Sequence, residues 1–206
     1  MSPSSRTTSF LTAIAIGLAT GFVTAISTGI EAATASSAAA AAAAPPKLEG
    51  IDVRTMAPSK LALPAKRPTV LVFLSSKCPC SMSHIPELRS LALEFSDVQF
   101  VGIHSNFDES LEIAHPYFKS ADLSFPILRD EGMKLADHFK AAKTPHAFVI
   151  GPDGQVLFQG GVSDSSKFPQ ADRKYLREAL EDLKNQIPIR TKVARALGCA
   201  ITRPNN

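Results

Sequence analysis

The chain has 206 residues, no tryptophan, three cysteines and a formal net charge of +3 at pH 7. This length suits one ordinary domain with extensions, and the small, evenly spread charge argues against binding to nucleic acid or strong attraction to a membrane surface. Three cysteines are too few for a disulfide-stapled scaffold, and the odd number leaves at least one thiol without a permanent intramolecular partner.

Residues 1–46 are predicted to lie outside the fold. Residues 10–30 form an apolar run diluted by Thr, Gly and Ser, and Arg6 is the only charge before Glu31. Residues 1–35 therefore predict a secretory signal peptide or, because ~20 apolar residues can span a bilayer, an uncleaved membrane anchor. A transit peptide is a lesser alternative. Residues 36–46, mostly Ala and then Pro-Pro, predict a linker. We expect the domain to be periplasmic or otherwise extracytoplasmic, where disulfides persist.

Residues 47–190 are predicted to form the folded domain. Three prolines within residues 47–68 indicate an irregular lead-in that leaves room for a short edge strand. The continuous apolar run Thr69–Leu74 is typical of a strand that is covered on both faces. A helix follows, with Pro86 expected to kink it. Apolar residues recur in that helix at spacings of three and four, which predicts one buried face: Met82, Ile85, Leu88, Leu91, Ala92 and Phe95.

The later elements alternate between strand patterns and helix patterns. In chain order they are a strand over 98–104, a helix opened by Asp108, an extended piece over 125–128, a helix N-capped by Asp130, strands over 146–150 and 156–158 joined by a turn, and a helix over about 170–185. Parallel strands joined by helices, followed by a hairpin, predict a single α/β domain with a mixed sheet. Residues 191–206 form a tail that contains the third cysteine.

The first two cysteines lie in Cys78-Pro79-Cys80, where the first strand gives way to the helix. The partial positive charge of a helix N-terminus favours thiolate over thiol. The carboxyl end of a strand is also where open α/β sheets place their sites. The position therefore suits redox or nucleophilic sulfur chemistry, or a soft metal ion.

Four pieces of residues 68–201 together resemble a thioredoxin-fold protein of the redoxin group, peroxiredoxin-like or thioredoxin-like. They are Phe73-Leu-Ser-Ser-Lys-Cys-Pro with Pro86 eight residues after Cys78, Val101-Gly-Ile-His-Ser-Asn, Thr144-Pro145 before a strand, and Gly151-Pro-Asp-Gly-Gln-Val-Leu-Phe-Gln-Gly. The resemblance implies a thioredoxin-like mixed β-sheet flanked by helices. It also implies that Cys78 is the attacking thiolate and that Pro145 is cis and lies beside it.

The sequence also departs from these family patterns. Ser81 stands where thioredoxins carry the resolving cysteine, which leaves Cys80 or Cys199 as candidate resolving thiols. Ser75 matches the hydroxyl that precedes the peroxiredoxin cysteine, and it could hydrogen-bond the thiolate or simply end the strand. Leu71 replaces the peroxiredoxin proline, and the partner arginine is missing near Thr144. The ending Gly198-Cys199-Ala200-Ile201 resembles that of a subgroup of exported or membrane-linked redoxin domains.

These features favour an exported thiol–disulfide oxidoreductase that needs no organic cofactor, acts on a protein disulfide or dithiol, and contacts a membrane only through its N-terminal segment. A thiol peroxidase acting on peroxide is one alternative. Another is a metal-binding protein that holds Cu(I) or Zn through Cys78, Cys80 and His146, or His84 in place of His146. A third alternative is a catalytically inactive interaction domain, which would require the cysteines to be permanently bonded. The oligomeric state is left open.

Overall fold

The computed structural model describes residues 46–204, all of which lie in one compact unit. The predicted signal or anchor segment, and all of the predicted linker except its last residue, lie outside the described residues. Between residues 46 and 204 no helix has both the length and the apolar character needed to cross a membrane.

A mixed seven-stranded sheet forms the centre of the fold, as predicted. Its strands run in the order β2-β1-β5-β4-β3-β7-β8, with β3, β4 and β5 parallel and the other pairs antiparallel. A separate two-stranded sheet pairs β6 with β9. The strands are β1 Leu48–Asp52, β2 Ala57–Leu61, β3 Thr69–Phe73, β4 Gln99–His104, β5 Ile127–Arg129, β6 Lys143–Thr144, β7 His146–Ile150, β8 Val156–Gly160 and β9 Cys199–Ala200.

Four α-helices flank the sheet. They are α1 Pro79–Glu94, α2 Leu111–Ser120, α3 Lys134–His138 and α4 Tyr175–Lys184, with 3-10 turns at Glu131–Met133 and Phe168–Gln170. Because successive strand side chains point to opposite faces, β3 contributes to two cores. Val70 and Val72 pack with α1, α2 and α4, whereas Leu71 and Phe73 pack with α3 and the tail residue Ile201. Every residue of β3 is buried, as its sequence predicts.

The lead-in is more regular than its prolines indicate. It forms the antiparallel hairpin β1–β2, and β1 also pairs with β5. Pro58 lies in β2, which ends the sheet, and an edge strand tolerates a residue without a backbone donor. The hairpin was hidden in the sequence because neither strand alternates clearly between apolar and polar residues.

Three helices depart from the predicted details. In α1 the first inward position belongs to Ser81, which is fully buried, whereas Met82 is 40% exposed. The helix continues through Pro86 to Glu94. Helix α2 begins at Leu111 instead of Asp108, because the residues in between form a turn against the site. Helix α4 begins at Tyr175 instead of about residue 170, because the residues before it form a 3-10 turn and a bend.

The prediction that Asp130 is the N-cap residue of α3 was wrong, because Met133 holds that position, but the Asp130 side chain still bonds the start of the helix from four residues before it. Its carboxylate accepts hydrogen bonds from the backbone amides of Leu135 and Ala136, both at 2.9 Å. It also accepts one from the Ser105 hydroxyl at 2.7 Å. These bonds satisfy helix-terminal amides that have no partner inside the helix.

The tail packs as part of the domain. The Gln159 amide of the outer strand β8 donates to the Lys192 carbonyl, and the Ala194 amide donates back to the Gln159 carbonyl. Further along, Ile201 is 5% exposed and belongs to the second core. The tail therefore crosses the edge of the sheet and returns to the start of α1.

Candidate active site

Cys78 is the N-cap residue of α1, directly after the loop that follows β3. Its sulfur accepts a hydrogen bond from the Ser81 amide at 3.5 Å, so the side chain lies over the first turn of the helix. The thiol donates to the Thr144 carbonyl oxygen at 3.1 Å. Cys78 is only 2% exposed. A sulfur that takes the N-cap position is stabilised as a thiolate, because backbone N–H groups point at it.

A buried glutamate holds the loop that leads to Cys78. The Glu109 carboxylate accepts hydrogen bonds from the hydroxyls of Ser75 and Ser76, both at 2.5 Å, and from the Ser76 amide at 2.7 Å. Glu109 is 1% exposed. The Ser75 hydroxyl oxygen in turn accepts from the Cys78 amide at 3.0 Å. Ser75 therefore positions the backbone of Cys78 and does not bond its sulfur.

Ser81 and Pro145 complete the wall around Cys78. The Ser81 hydroxyl, at the position where thioredoxins carry a resolving cysteine, accepts from the Ser75 amide at 3.2 Å and so ties the helix to the loop. The Thr144–Pro145 peptide is cis, as the resemblance implied. The Thr144 hydroxyl is buried and makes no hydrogen bond to a described residue, so it can donate to the Cys78 sulfur when Cys78 ionises.

The tail brings the third cysteine to the same place. Strand β9 pairs antiparallel with β6, which sets Cys199 opposite Thr144. Gly198 allows this approach, because a Cβ atom there would lie 2.0 Å from the Thr144 carbonyl oxygen. The sulfurs of Cys78, Cys80 and Cys199 all lie within 4.8 Å of one another, and all three thiols are free.

Cys78 is the most acidic of the three thiols. Burial opposes its ionisation, but hydrogen bonds from the Cys199 thiol, the Thr144 side chain and the Ser81 amide outweigh burial and lower its pKa from 9.0 to about 7. Burial and the neighbouring Cys78 charge raise the pKa of Cys80. Burial and hydrogen bonding to Cys78 raise the pKa of Cys199 to about 12. Near neutral pH the negative charge therefore resides on Cys78, and the other thiols remain protonated.

The histidines lie apart from this sulfur cluster. His84 is buried, with Nδ1 2.7 Å from the Cys80 carbonyl oxygen and Nε2 2.8 Å from the Ser163 hydroxyl. His146 packs on Phe148 with ring centroids 4.5 Å apart. The described ligand atoms that lie within 4.8 Å of one another are the three sulfurs, and His146 is not among them. The structure thus places Cys199 where the sequence-based metal hypothesis placed a histidine.

The sequence reasoning missed Glu109 entirely. It also treated His104 as structural or solvated, and His104 is fully buried beneath the same loop. Its ring nitrogens lie 3.2 Å from the carbonyl oxygens of Leu74 and Glu109, and burial lowers its pKa. The available signal was the acidic pair Asp108-Glu109, which begins four residues after the end of β4 at His104. Strand β4 runs parallel to β3 and ends at the same edge of the sheet.

Comparison with known proteins identifies the fold. Residues 66–156 match the family model described as thioredoxin-like. The chain is 23% identical over 108 residues to the sporulation thiol-disulfide oxidoreductase A of Bacillus subtilis (strain 168), and the match covers 50% of this chain and 66% of that relative. The chain thus spans just under two thirds of that relative's length.

Two solved structures match most of the chain. An uncharacterised conserved protein from Geobacillus kaustophilus has a TM-score of 0.69 and 26% identity, with coverage of 79% of this chain and 91% of its own. A hypothetical protein from Sinorhizobium meliloti 1021 has a TM-score of 0.69 and 22% identity, with coverage of 79% and 93%. The described part of the chain has a thioredoxin-like fold, with three free thiols at the start of α1.

The acidity of Cys78 is predicted to depend on the side chain at position 199. Cys199→Ala removes a hydrogen-bond donor to the thiolate, so the pKa of Cys78 should rise from about 7 towards its ordinary value of 9.0. At a pH between these values Cys78 should then be mainly a thiol instead of mainly a thiolate. The measurement is pulsed alkylation across the pH range, with Cys78 followed by peptide mass spectrometry.

Cys199→Ser is the matched control for this experiment. Its hydroxyl is also a donor, so the pKa of Cys78 should stay closer to that of the wild type. An unchanged alkylation profile in Cys199→Ala would contradict the proposed donation from the tail.

Glu109→Ala is predicted to destabilise the fold and loosen the site. Removing the carboxylate leaves the two serine hydroxyls and one amide without their buried acceptor, which should cost about 3 kcal/mol or more of unfolding free energy. Chemical denaturation measures the loss. The exposed Glu112, in the first turn of α2, is the control, and Glu112→Ala should change stability by less than about 0.5 kcal/mol. Equal effects of the two substitutions would remove the structural role assigned to Glu109.

Proposed function

We propose that this protein is an exported thiol–disulfide oxidoreductase with Cys78 as its reactive thiolate and Cys199 or Cys80 as the second thiol. The observation that carries the proposal is the convergence of three free sulfurs within 4.8 Å around a helix N-cap. One of them is ionised near neutral pH and two are protonated, which is the arrangement that a thiolate exchange requires.

The chemistry is a two-electron exchange between this site and a partner. In the reduced site, a protein thiolate attacks a sulfur of the partner disulfide, the disulfide bond breaks, and one partner thiolate leaves. When the second thiol has also reacted, the site holds one intramolecular disulfide, and the partner has gained two electrons and two protons. The reverse sequence oxidises a partner dithiol. Sulfur carries the electrons throughout, so no organic cofactor takes part.

Cys199 is the better placed of the two candidate second thiols. A bond between Cys78 and Cys80 would close a small ring within the first turn of α1, and strained disulfides are labile. Cys199 approaches from a different strand and meets no such restriction, because its position is set by the pairing of β9 with β6.

Support for the activity also comes from the relative in Bacillus subtilis, whose name describes a thiol-disulfide oxidoreductase. Support for export comes from the apolar segment within residues 10–30. A peroxidase form, in which Cys78 attacks a peroxide and becomes a sulfenic acid, is disfavoured because Leu71 replaces the peroxiredoxin proline and the partner arginine is missing near Thr144.

The same three sulfurs support a second candidate function, the binding of a soft metal ion. Thiolates bind Cu(I) and Zn strongly, and metal–sulfur bonds of about 2.3 Å allow sulfurs up to about 4.6 Å apart to share one ion. The three sulfurs of this site lie within 4.8 Å of one another, which is close to that distance. Metal binding requires the reduced site, so it would compete with disulfide formation.

One set of variants tests the proposed function. The reduced full chain should lose two thiols reversibly, with a potential between about −120 and −270 mV. Cys78→Ser should lower disulfide exchange to the uncatalysed rate, because it removes the acidic thiol. Cys80→Ser should retain exchange if Cys199 is the second thiol. The measurements are thiol counting, redox titration against glutathione and an exchange assay.

Two results would overturn these assignments. Normal exchange by Cys78→Ser would refute the role of Cys78. Stoichiometric, tight Cu(I) binding without any disulfide turnover would replace the oxidoreductase with the metal-binding function.

A further inference from the structure

The C-terminal strand occupies the backbone edge beside Cys78. Strand β9 pairs with β6 and sets Cys199 opposite Thr144, whose carbonyl oxygen accepts from the Cys78 thiol at 3.1 Å. An extended partner chain that docks by strand pairing needs a free edge. At β6 that edge is taken by the protein itself, and Cys78 is only 2% exposed. A protein partner therefore has no direct route to the Cys78 sulfur in this conformation.

The tail is anchored on both sides of Cys199. Before it, Gly198 lies so close to the Thr144 carbonyl that a Cβ atom would not fit. After it, Ile201 is buried in the core, and its amide donates to the Ala142 carbonyl at 3.0 Å. Displacing the strand would break these bonds and expose Ile201 to water, so the tail is expected to stay in place during exchange.

Cys199 itself remains partly exposed on this strand. We propose that the partner thiol attacks Cys199, so that Cys199 carries the mixed disulfide and Cys78 is the internal thiol of the site. The inference rests on the proposed thiol–disulfide exchange and adds to it the sulfur at which a partner enters and the direction of electron flow, from a partner dithiol to the protein.

The proposed reaction has two balanced steps. In the oxidised protein, a partner thiolate attacks the Cys199 sulfur, the Cys78–Cys199 bond breaks, and the bonding electron pair leaves with Cys78 as a thiolate. The second thiolate of the partner then attacks the partner sulfur of the mixed disulfide and releases Cys199 as a thiolate, which takes up a proton. The partner loses two electrons as its disulfide forms, and the protein disulfide gains them.

The geometry makes Cys78 the better leaving group. Its sulfur accepts from the Ser81 amide at the N-terminus of α1, so negative charge that develops there is stabilised. Cys199 lies in strand β9 and not at a helix N-terminus, so negative charge that develops on it is stabilised less. Exchange is fastest when the attacked sulfur is accessible and the leaving thiolate is stable, and both conditions favour attack at Cys199.

The test maps the sulfur to which a partner becomes attached. The oxidised full chain is mixed with excess of a peptide that carries one cysteine, quenched with acid and digested, and the peptide-bearing cysteine is identified by mass spectrometry. We expect the peptide on Cys199, with Cys78 released as a free thiol. Attachment mainly to Cys78 or to Cys80 would overturn the inference.

A second measurement tests, in the reduced protein, whether the C-terminal strand restricts access to Cys78. When a polymer-linked maleimide replaces a small maleimide, the rate at Cys78 should fall at least about tenfold more than the rate at Cys199, because the tail must open first. Gly198→Ala should remove much of this difference, because its methyl group collides with the Thr144 carbonyl. Gly154→Ala is the control. It also adds a methyl group at a positive φ, in the turn between β7 and β8, where the nearest atoms are 3.8 Å away. An equal fall in rate at the two cysteines of the wild type would overturn the inference.

The two proposals fail in different ways. If the oxidised chain captures the peptide at no cysteine and no variant supports exchange, the oxidoreductase function itself is wrong. If exchange proceeds normally but the peptide is found on Cys78, only the entry at Cys199 is wrong.

Discussion

The site depends on one backbone interaction, the antiparallel pairing of β9 with β6. This short ladder places Cys199 opposite Thr144 and within reach of Cys78, although the two cysteines are far apart along the chain. It is possible because Gly198 has no side chain to collide with the Thr144 carbonyl, and it is secured because Ile201 is buried. The three thiols converge only while this pairing holds.

A second constraint on the site is the anchoring of the loop before α1. The buried Glu109 carboxylate gathers three donors from Ser75 and Ser76, and Ser75 accepts from the Cys78 amide. The loop before α1 is therefore held by hydrogen bonds to this carboxylate, and the Arg129 guanidinium donates to the Glu109 backbone carbonyl at 2.8 Å. A thiolate is stabilised by such a preorganised environment, because the hydrogen-bond donors to its charge are already oriented before reaction. Cys78 thus receives its donors from the helix start on one side and from the tail on the other.

Most of the architecture could be predicted from local patterns. The apolar run of β3 and the period of α1 depend on neighbouring residues, and both agree with the structure except at Met82, which is exposed. The hairpin β1–β2 and the starts of α2 and α4 could not be predicted, because they depend on contacts with distant segments. Asp108 illustrates the difference. It is an ordinary helix-capping residue by sequence, but Thr202 of the tail hydrogen-bonds it in a turn before α2.

The sequence by itself determined where Cys78 lies: a cysteine placed where an apolar strand meets a helix lies at the helix N-terminus, and local geometry alone then favours the thiolate. Only the tertiary structure decided what surrounds that cysteine. Cys199, Glu109 and Thr144 reach Cys78 through strand pairing and loop packing over long sequence separations. No spacing rule relates residues that meet in this way, because their distance is set by the sheet and not by the intervening chain.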